Sequence, residues 1–257
     1  MAELEWTDEN TFVLGGASFK TTPPEVFVDR GGLEMGEADF LVAKPRPLIE
    51  RYIALIEQLS PERIVELGSF QGGSTALLLE LAQPQMLVSV DRLSMRKGVV
   101  ERHAARRGFA DVVRIHGGVD QSDRERLAEI ATNDFGDEPL DLVIDDCSHE
   151  YEPSRASFNE LFPRLRPGGI YVIEDWPWVA PDESGERNEG HGRVALMRLL
   201  FEAIVSIPYL TRSIDQLLIE RDAAFITRAS AQLKSGEFEI GTDLGMCGSD
   251  LAGAADD

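Results

Sequence analysis

Two runs of this 257-residue chain end in acids and hold most of its candidate chemistry. LDLVIDDCSHEY closes a strand-like stretch with Asp145 and Asp146 and places His149 three residues past the second acid. GGIYVIEDW closes another with Glu174 and Asp175. Neighbouring strands lie about 4.8 Å apart, so two adjacent ends of this kind gather three carboxylates around one ion. Such oxygen ligands suit Mg²⁺, which keeps waters and accepts substrate oxygens in an octahedral shell. Adjacent strand residues face opposite ways, which makes Asp145 and Asp146 alternatives for the ligand position. Asp146 is preferred, because a base three residues further on then stands beside the ion. Glu174 and Asp175 both reach it only if the chain leaves the strand there, as Trp176-Pro177 allows. Histidine titrates near neutrality, which fits His149 to accept a proton.

A second constellation lies earlier, in RIVELGSFQGGSTALLLELA, which reads as strand, glycine loop and helix. Gly68 and Gly72 permit positive φ and a close backbone approach to a ligand, and Ser74 or Thr75 is placed to cap the helix. Ser69 and Phe70 belong to the same candidate cofactor loop. The spacing G-x-x-x-G-G differs from the G-x-G-x-x-G that brings a pyrophosphate to a helix N-terminus, and Glu66 precedes it. An acid there suits a cationic ligand with an amino group. Asp91 follows the strand MLVSV, where a carboxylate accepts the two hydrogen bonds of a ribose diol. Asp145 is also assigned to the candidate cofactor-binding set.

The elements that must position these groups alternate. Apolar runs at 63–67, 86–90, 111–115, 140–145 and 169–174 are separated by helical stretches. That alternation implies right-handed crossovers and a parallel sheet covered on both faces. PLIERYIALIEQL puts Leu48, Tyr52, Ile53 and Ile56 on one face of the helix leading in. After a helix at about 194–206, SIDQLLIE and AAFITRA are joined so tightly that they must be antiparallel. The expected fold is α/β, a doubly wound and mostly parallel seven-stranded sheet closed by a C-terminal antiparallel hairpin. Residues 1–45, with scattered Gly and Pro and little periodicity, read as an N-terminal extension, a cap or an oligomer contact. Residues 46–240 form the main domain, and 241–257 read as a disordered tail.

Composition excludes several partners. Forty-six acids against twenty-five Lys and Arg leave a charge of -21, which repels nucleic-acid backbones and anionic membranes. The acids are spread along the chain, as simple solubility requires. Two cysteines, Cys147 and Cys247, are too few for a disulfide framework. The N-terminus has no basic stretch followed by an apolar one, and no apolar run suits membrane insertion, so a cytoplasmic setting is expected.

VELGSFQGGST resembles the first motif of class I S-adenosylmethionine-dependent methyltransferases, and Asp120 in HGGVDQSD sits where that superfamily contacts adenine. DDCSHEY followed by GGIYVIEDW resembles the metal-dependent sugar O-methyltransferases related to the macrocin and mycinamicin enzymes, and the cephalosporin-hydroxylase-type proteins that share the fold. This resemblance covers roughly residues 45–180. It implies S-adenosylmethionine and Mg²⁺ as cofactors, Asp146, Glu174 and Asp175 as metal ligands, and His149 as general base. Cys147 replaces the glycine common at its place in the motif, without removing a ligand.

The reaction so implied is methylation of a hydroxyl on a small-molecule or oligosaccharide substrate: a macrolide sugar, a rhamnosyl lipid, or a methylated mannose or glucose polysaccharide. Tyr151, Trp176 and Trp178 are candidates to stack on a sugar face, with core packing the alternative for each. His191 reads as a lid contact or a surface loop; His103 and His116 read as incidental. The alternatives are a hydroxylase-type relative, a nicotinamide oxidoreductase, which the glycine spacing disfavours, and a non-catalytic binding module.

Overall fold

The structure is a computed structural model and describes residues 4–21, 39–93, 97–177, 196–207 and 213–240. Five parallel strands carry the sheet: β5 (Arg63–Leu67), β6 (Met86–Asp91), β7 (Val113–Gly117), β8 (Leu140–Asp145) and β9 (Leu165–Glu174). β10 (Ile214–Ile219) and β11 (Ala223–Arg228) add an antiparallel pair beside β9, giving the order β10-β11-β9-β8-β5-β6-β7. The expected doubly wound sheet with its antiparallel close is present. β7 begins two residues later than its apolar run and β9 four residues earlier.

Side chains alternate across this sheet because the strand period is two. Ile64, Leu142, Ile144 and Val172 enter one core, while Val65, Leu67, Val143 and Ile173 enter the other. Helices α1 (Arg46–Leu59), α2 (Gly73–Ala82) and α3 (Lys97–Arg107) contribute to the first; α4 (Arg124–Phe135), α5 (Tyr151–Leu161) and α6 (Met197–Ser206) contribute to the second. α1 buries Leu48, Ile49, Tyr52, Leu55 and Ile56, a broader stripe than the one expected, with Ile53 only half-buried. Among the described residues no helix is long and apolar enough to cross a membrane.

The N-terminal segment is more regular than its composition suggests. β1 (Glu5–Trp6), β2 (Thr11–Leu14), β3 (Ala17–Thr21) and β4 (Asp39–Val42) form a separate four-stranded sheet. Phe12 stacks on Phe19 and Phe19 on Phe40, so cross-strand aromatic pairs replace the long periodic runs that a sequence reading relies on. This sheet packs into the first core. A Cβ at Gly73 would lie 1.9 Å from the Leu41 carbonyl oxygen, so β4 approaches the start of α2 as closely as backbone allows.

β5 neighbours both β6 and β8, and the chain winds away from it in both directions. At such a switch point the loops after the strands diverge and leave a crevice at their C-terminal ends, where ligands bind in open α/β sheets.

Candidate active site

The glycine loop after β5 follows its expected conformation but serves its neighbours differently. Gly68 and Gly72 have φ of +86° and +82°, and Phe70 between them is also left-handed, at +47°. A Cβ at Gly68 would lie 1.9 Å from the Asp146 carbonyl oxygen, and one at Gly72 2.2 Å from Val100 Cγ2. On the side where a Cβ would stand, these glycines therefore let other parts of the protein approach the loop. Neither Ser74 nor Thr75 caps α2: Gly72 occupies the cap position without a side-chain bond, and the Thr75 hydroxyl donates to Glu66. Glu66 is almost fully buried, and burial raises its pKa.

Asp91 fastens this loop. One carboxylate oxygen accepts from the backbone N–H of Ser69 (2.9 Å) and Phe70 (3.0 Å), the other from Leu93 N–H (2.8 Å). Asp120 is exposed and closes a local turn, accepting from the Ser122 hydroxyl and N–H, which hold its carboxyl below the usual range.

Its neighbour Gln121, absent from the sequence-based set, is buried and joins two loops. Its amide nitrogen donates to Asp145 (2.6 Å) and to Ser157 (3.0 Å), while its oxygen accepts from Ser148 in the His149 loop. Asp145 also accepts from Tyr171 (3.1 Å) and is 2% exposed. Burial pushes its pKa up to about 6. These protein donors close it in, so the structure sets Asp145 inside the protein rather than on the cofactor side.

Asp146, His149 and Asp175 converge: one ligand atom from each lies within 4.8 Å of the others. His149 Nε2 is 3.9 Å from Asp146 Oδ1. Two of the three side chains are aimed by strained backbone, with φ of +55° at His149 and +50° at Asp175, conformations that L residues with side chains adopt at a cost of about 1–3 kcal/mol. The turn at Asp175 is the departure from β9 that the sequence requires, and Asp175 N–H donates to the Asp222 carbonyl (2.9 Å), tying it to the β10–β11 turn. The donor set, carboxylate oxygens with one imidazole nitrogen, fits a divalent cation.

Glu174 is not among the converging groups. Both its oxygens accept from Lys44 Nζ (2.8 and 2.7 Å), and one accepts from the Tyr52 hydroxyl (2.6 Å). Lys44 also donates to Asp146 Oδ2 at 2.7 Å. Adjacent residues at the end of β9 thus face different partners. Burial, then repulsion from Asp146, pushes the Glu174 carboxyl above its ordinary range. The sequence gives no signal for Lys44, a charged residue in AKPRP, and reads Tyr52 only as a core position.

The aromatic candidates separate. Tyr151 is 2% exposed, lies under the Arg198 guanidinium (4.4 Å to the ring centroid) and donates to Glu202 (2.6 Å), so it has no face for a sugar. Trp176 is half-buried, and its indole N–H donates to the Glu220 carbonyl (2.8 Å). Trp178 and His191 lie outside the described residues. His103 and His116 pair with Glu80 and Asp134, away from the site.

Residues 65–176 match the family model described as "Methyltransferase domain". The demethylmacrocin O-methyltransferase of Streptomyces fradiae is 41% identical over 91 residues, 35% of this chain and 22% of that protein. The mycinamicin VI 2''-O-methyltransferase of Micromonospora griseorubida is 36% identical over 124 residues, 42% of this chain and 30% of that protein. Among solved structures, the MycE methyltransferase of mycinamycin biosynthesis, in complex with Mg, SAH and mycinamycin VI, superposes with a TM-score of 0.53 at 25% identity. That match covers 73% of this chain and 50% of the crystallised one. The chain therefore spans half or less of each of these relatives.

Proposed function

We propose that this chain, whose residues 65–176 form a methyltransferase domain of the class I fold, transfers the methyl group of S-adenosylmethionine to a hydroxyl of a sugar with the help of Mg²⁺. The observation that carries this reading is the backbone contact between the two halves of the site. Asp146 N–H donates to the Leu67 carbonyl (2.9 Å), and the Asp146 carbonyl packs on Gly68. The acid–histidine cluster consequently begins where the glycine loop begins, which supports a reading in which a methyl donor held by the loop meets His149 as a general base.

In this reading Gly68, Ser69, Phe70 and Gly72 shape the cofactor loop. Asp91, already fixing the loop, has lone pairs left for a ribose diol. Glu66, buried and bonded to Thr75, supports the same end from behind, and Asp120 stands beside it. Asp146 and Asp175 would hold the metal, with Glu174 held behind them on Lys44. A divalent ion held there would supply Lewis-acid polarisation of an acceptor hydroxyl. His149 accepts the hydroxyl proton on a ring nitrogen; the oxygen then forms its bond to the methyl carbon as the carbon–sulfur bond breaks. The products are a methyl ether, S-adenosylhomocysteine and a proton on His149. Orientation supplies much of the acceleration, since oxygen and methyl must meet in line at about 3 Å.

The sugar acceptor is supported by relatives named for O-methylation of a rhamnosyl tetracenomycin-C and of L-olivosyl-oleandolide. Transfer of label from methyl-labelled S-adenosylmethionine to macrolide glycosides, rhamnosides and mannose or glucose oligosaccharides tests the reading. Stabilisation by NAD and not by S-adenosylmethionine in a thermal-shift assay would overturn it in favour of an oxidoreductase.

A further inference from the structure

Lys44 enters the acid cluster from outside the matched domain, from the short link between β4 and α1. It is 4% exposed, and its ammonium stands within 2.8 Å of three carboxylate oxygens, one on Asp146 and two on Glu174. The Tyr52 ring lies 5.9 Å from Nζ. One ammonium thus bridges Asp146 and Glu174, at 2.7 Å from an oxygen of each. The Asp146 oxygen not bonded to Lys44 is the one facing His149.

We propose that Lys44 is a built-in cation of this site that competes with a divalent ion for Asp146 and Glu174 and confines it to the Asp146 and Asp175 carboxylates, on the side of Asp146 that faces His149. Lys44 is thereby a positioning residue that sets metal affinity through charge. The proposal rests on the metal-dependent reading above.

Direct titration with Mn²⁺, following free ion by electron paramagnetic resonance, tests it without reference to turnover. Lys44→Met is expected to bind Mn²⁺ at least about fivefold more tightly than the native chain, because a unit charge only a few ångströms away is removed. Lys44→Arg, which restores the charge, returns affinity toward the native value. A purely structural lysine predicts a lower melting temperature in Lys44→Met with Mn²⁺ affinity unchanged, and that result overturns the proposal. If Lys44→Met does not fold, Glu174→Gln is compared with Lys44→Met/Glu174→Gln, in which the buried pair is removed from both sides. Tighter Mn²⁺ binding in the double variant supports competition, whereas equal or weaker binding refutes it. Binding by Lys44→Met but not by the native chain also supports competition, while removing metal dependence from the native enzyme. No binding by either form at millimolar Mn²⁺ overturns the metal reading and this proposal together.

Discussion

The two halves of the site are built by opposite means. At the cofactor loop a single carboxylate, Asp91, is fixed by backbone N–H groups of Ser69, Phe70 and Leu93, all within 22 residues of it. At the acid cluster, Glu174 is fixed by side chains of Lys44 and Tyr52, which lie 130 and 122 residues away. The first half is a local motif whose geometry follows from glycine spacing and a strand end. The second is a meeting of elements, and it depends on Lys44 and Tyr52, which precede the matched residues 65–176. The Gly68–Asp146 contact is where the halves join.

If the acid cluster carries the chemistry and the loop carries cofactor binding, variants on the two sides must fail differently. His149→Ala is expected to lower methyl transfer about 10²–10⁴-fold while leaving S-adenosylmethionine affinity within about twofold in a binding titration. A comparable loss of affinity would erase the distinction.

Gly68→Ala strikes the junction. With φ at +86° and a Cβ 1.9 Å from the Asp146 carbonyl, it is expected to cost about 3 kcal/mol or more in denaturant unfolding and to damage both halves. Asp91→Ala is expected to weaken S-adenosylmethionine binding about a hundredfold, by releasing three backbone donors and removing the ribose acceptor. Mn²⁺ affinity should survive it. Equal loss of both ligands would mean that the halves are not separable.

Asp145 sharpens the comparison from the interior. Burial lifts its pKa from 3.8 to about 6, so ionisation opposes folding. The penalty is absent below pH 3.8, grows through the interval and is complete above about pH 6. Relative to the native chain, Asp145→Asn should gain roughly 2–3 kcal/mol between pH 4 and pH 7 in thermal or denaturant unfolding. A pH-independent difference would show that Asp145 is not a strained buried acid.

How much of this was legible in the sequence follows the same division. β5, β6 and β8 announce themselves as short apolar runs, and the antiparallel pair β10–β11 follows from the tight connection between its strands. Strand alternation makes Asp145 and Asp146 face opposite ways, and it is Asp146 that stands with His149 and Asp175 while Asp145 is bonded to Gln121 and Tyr171. Lys44 is not legible, since nothing local distinguishes a buried ammonium from a solvated one. Its environment is made by Asp146 and Glu174, 102 and 130 residues further along the chain. Gln121 is hidden for a related reason: attention falls on the charged Asp120, while the neutral amide beside it makes the buried connections. Glu174 shows the limit most clearly, because its position at the strand end is readable whereas the partner that claims its oxygens is not.

The most direct test of the account is labelled-methyl transfer to a sugar acceptor, measured for the native chain and Asp146→Asn with Mg²⁺, after chelation, and after Mg²⁺ is restored. The account predicts that chelation abolishes transfer by the native chain, that Mg²⁺ restores it, and that Asp146→Asn stays at least about a hundredfold slower even with Mg²⁺ present. Native-level transfer by Asp146→Asn, or transfer indifferent to chelation, would contradict it.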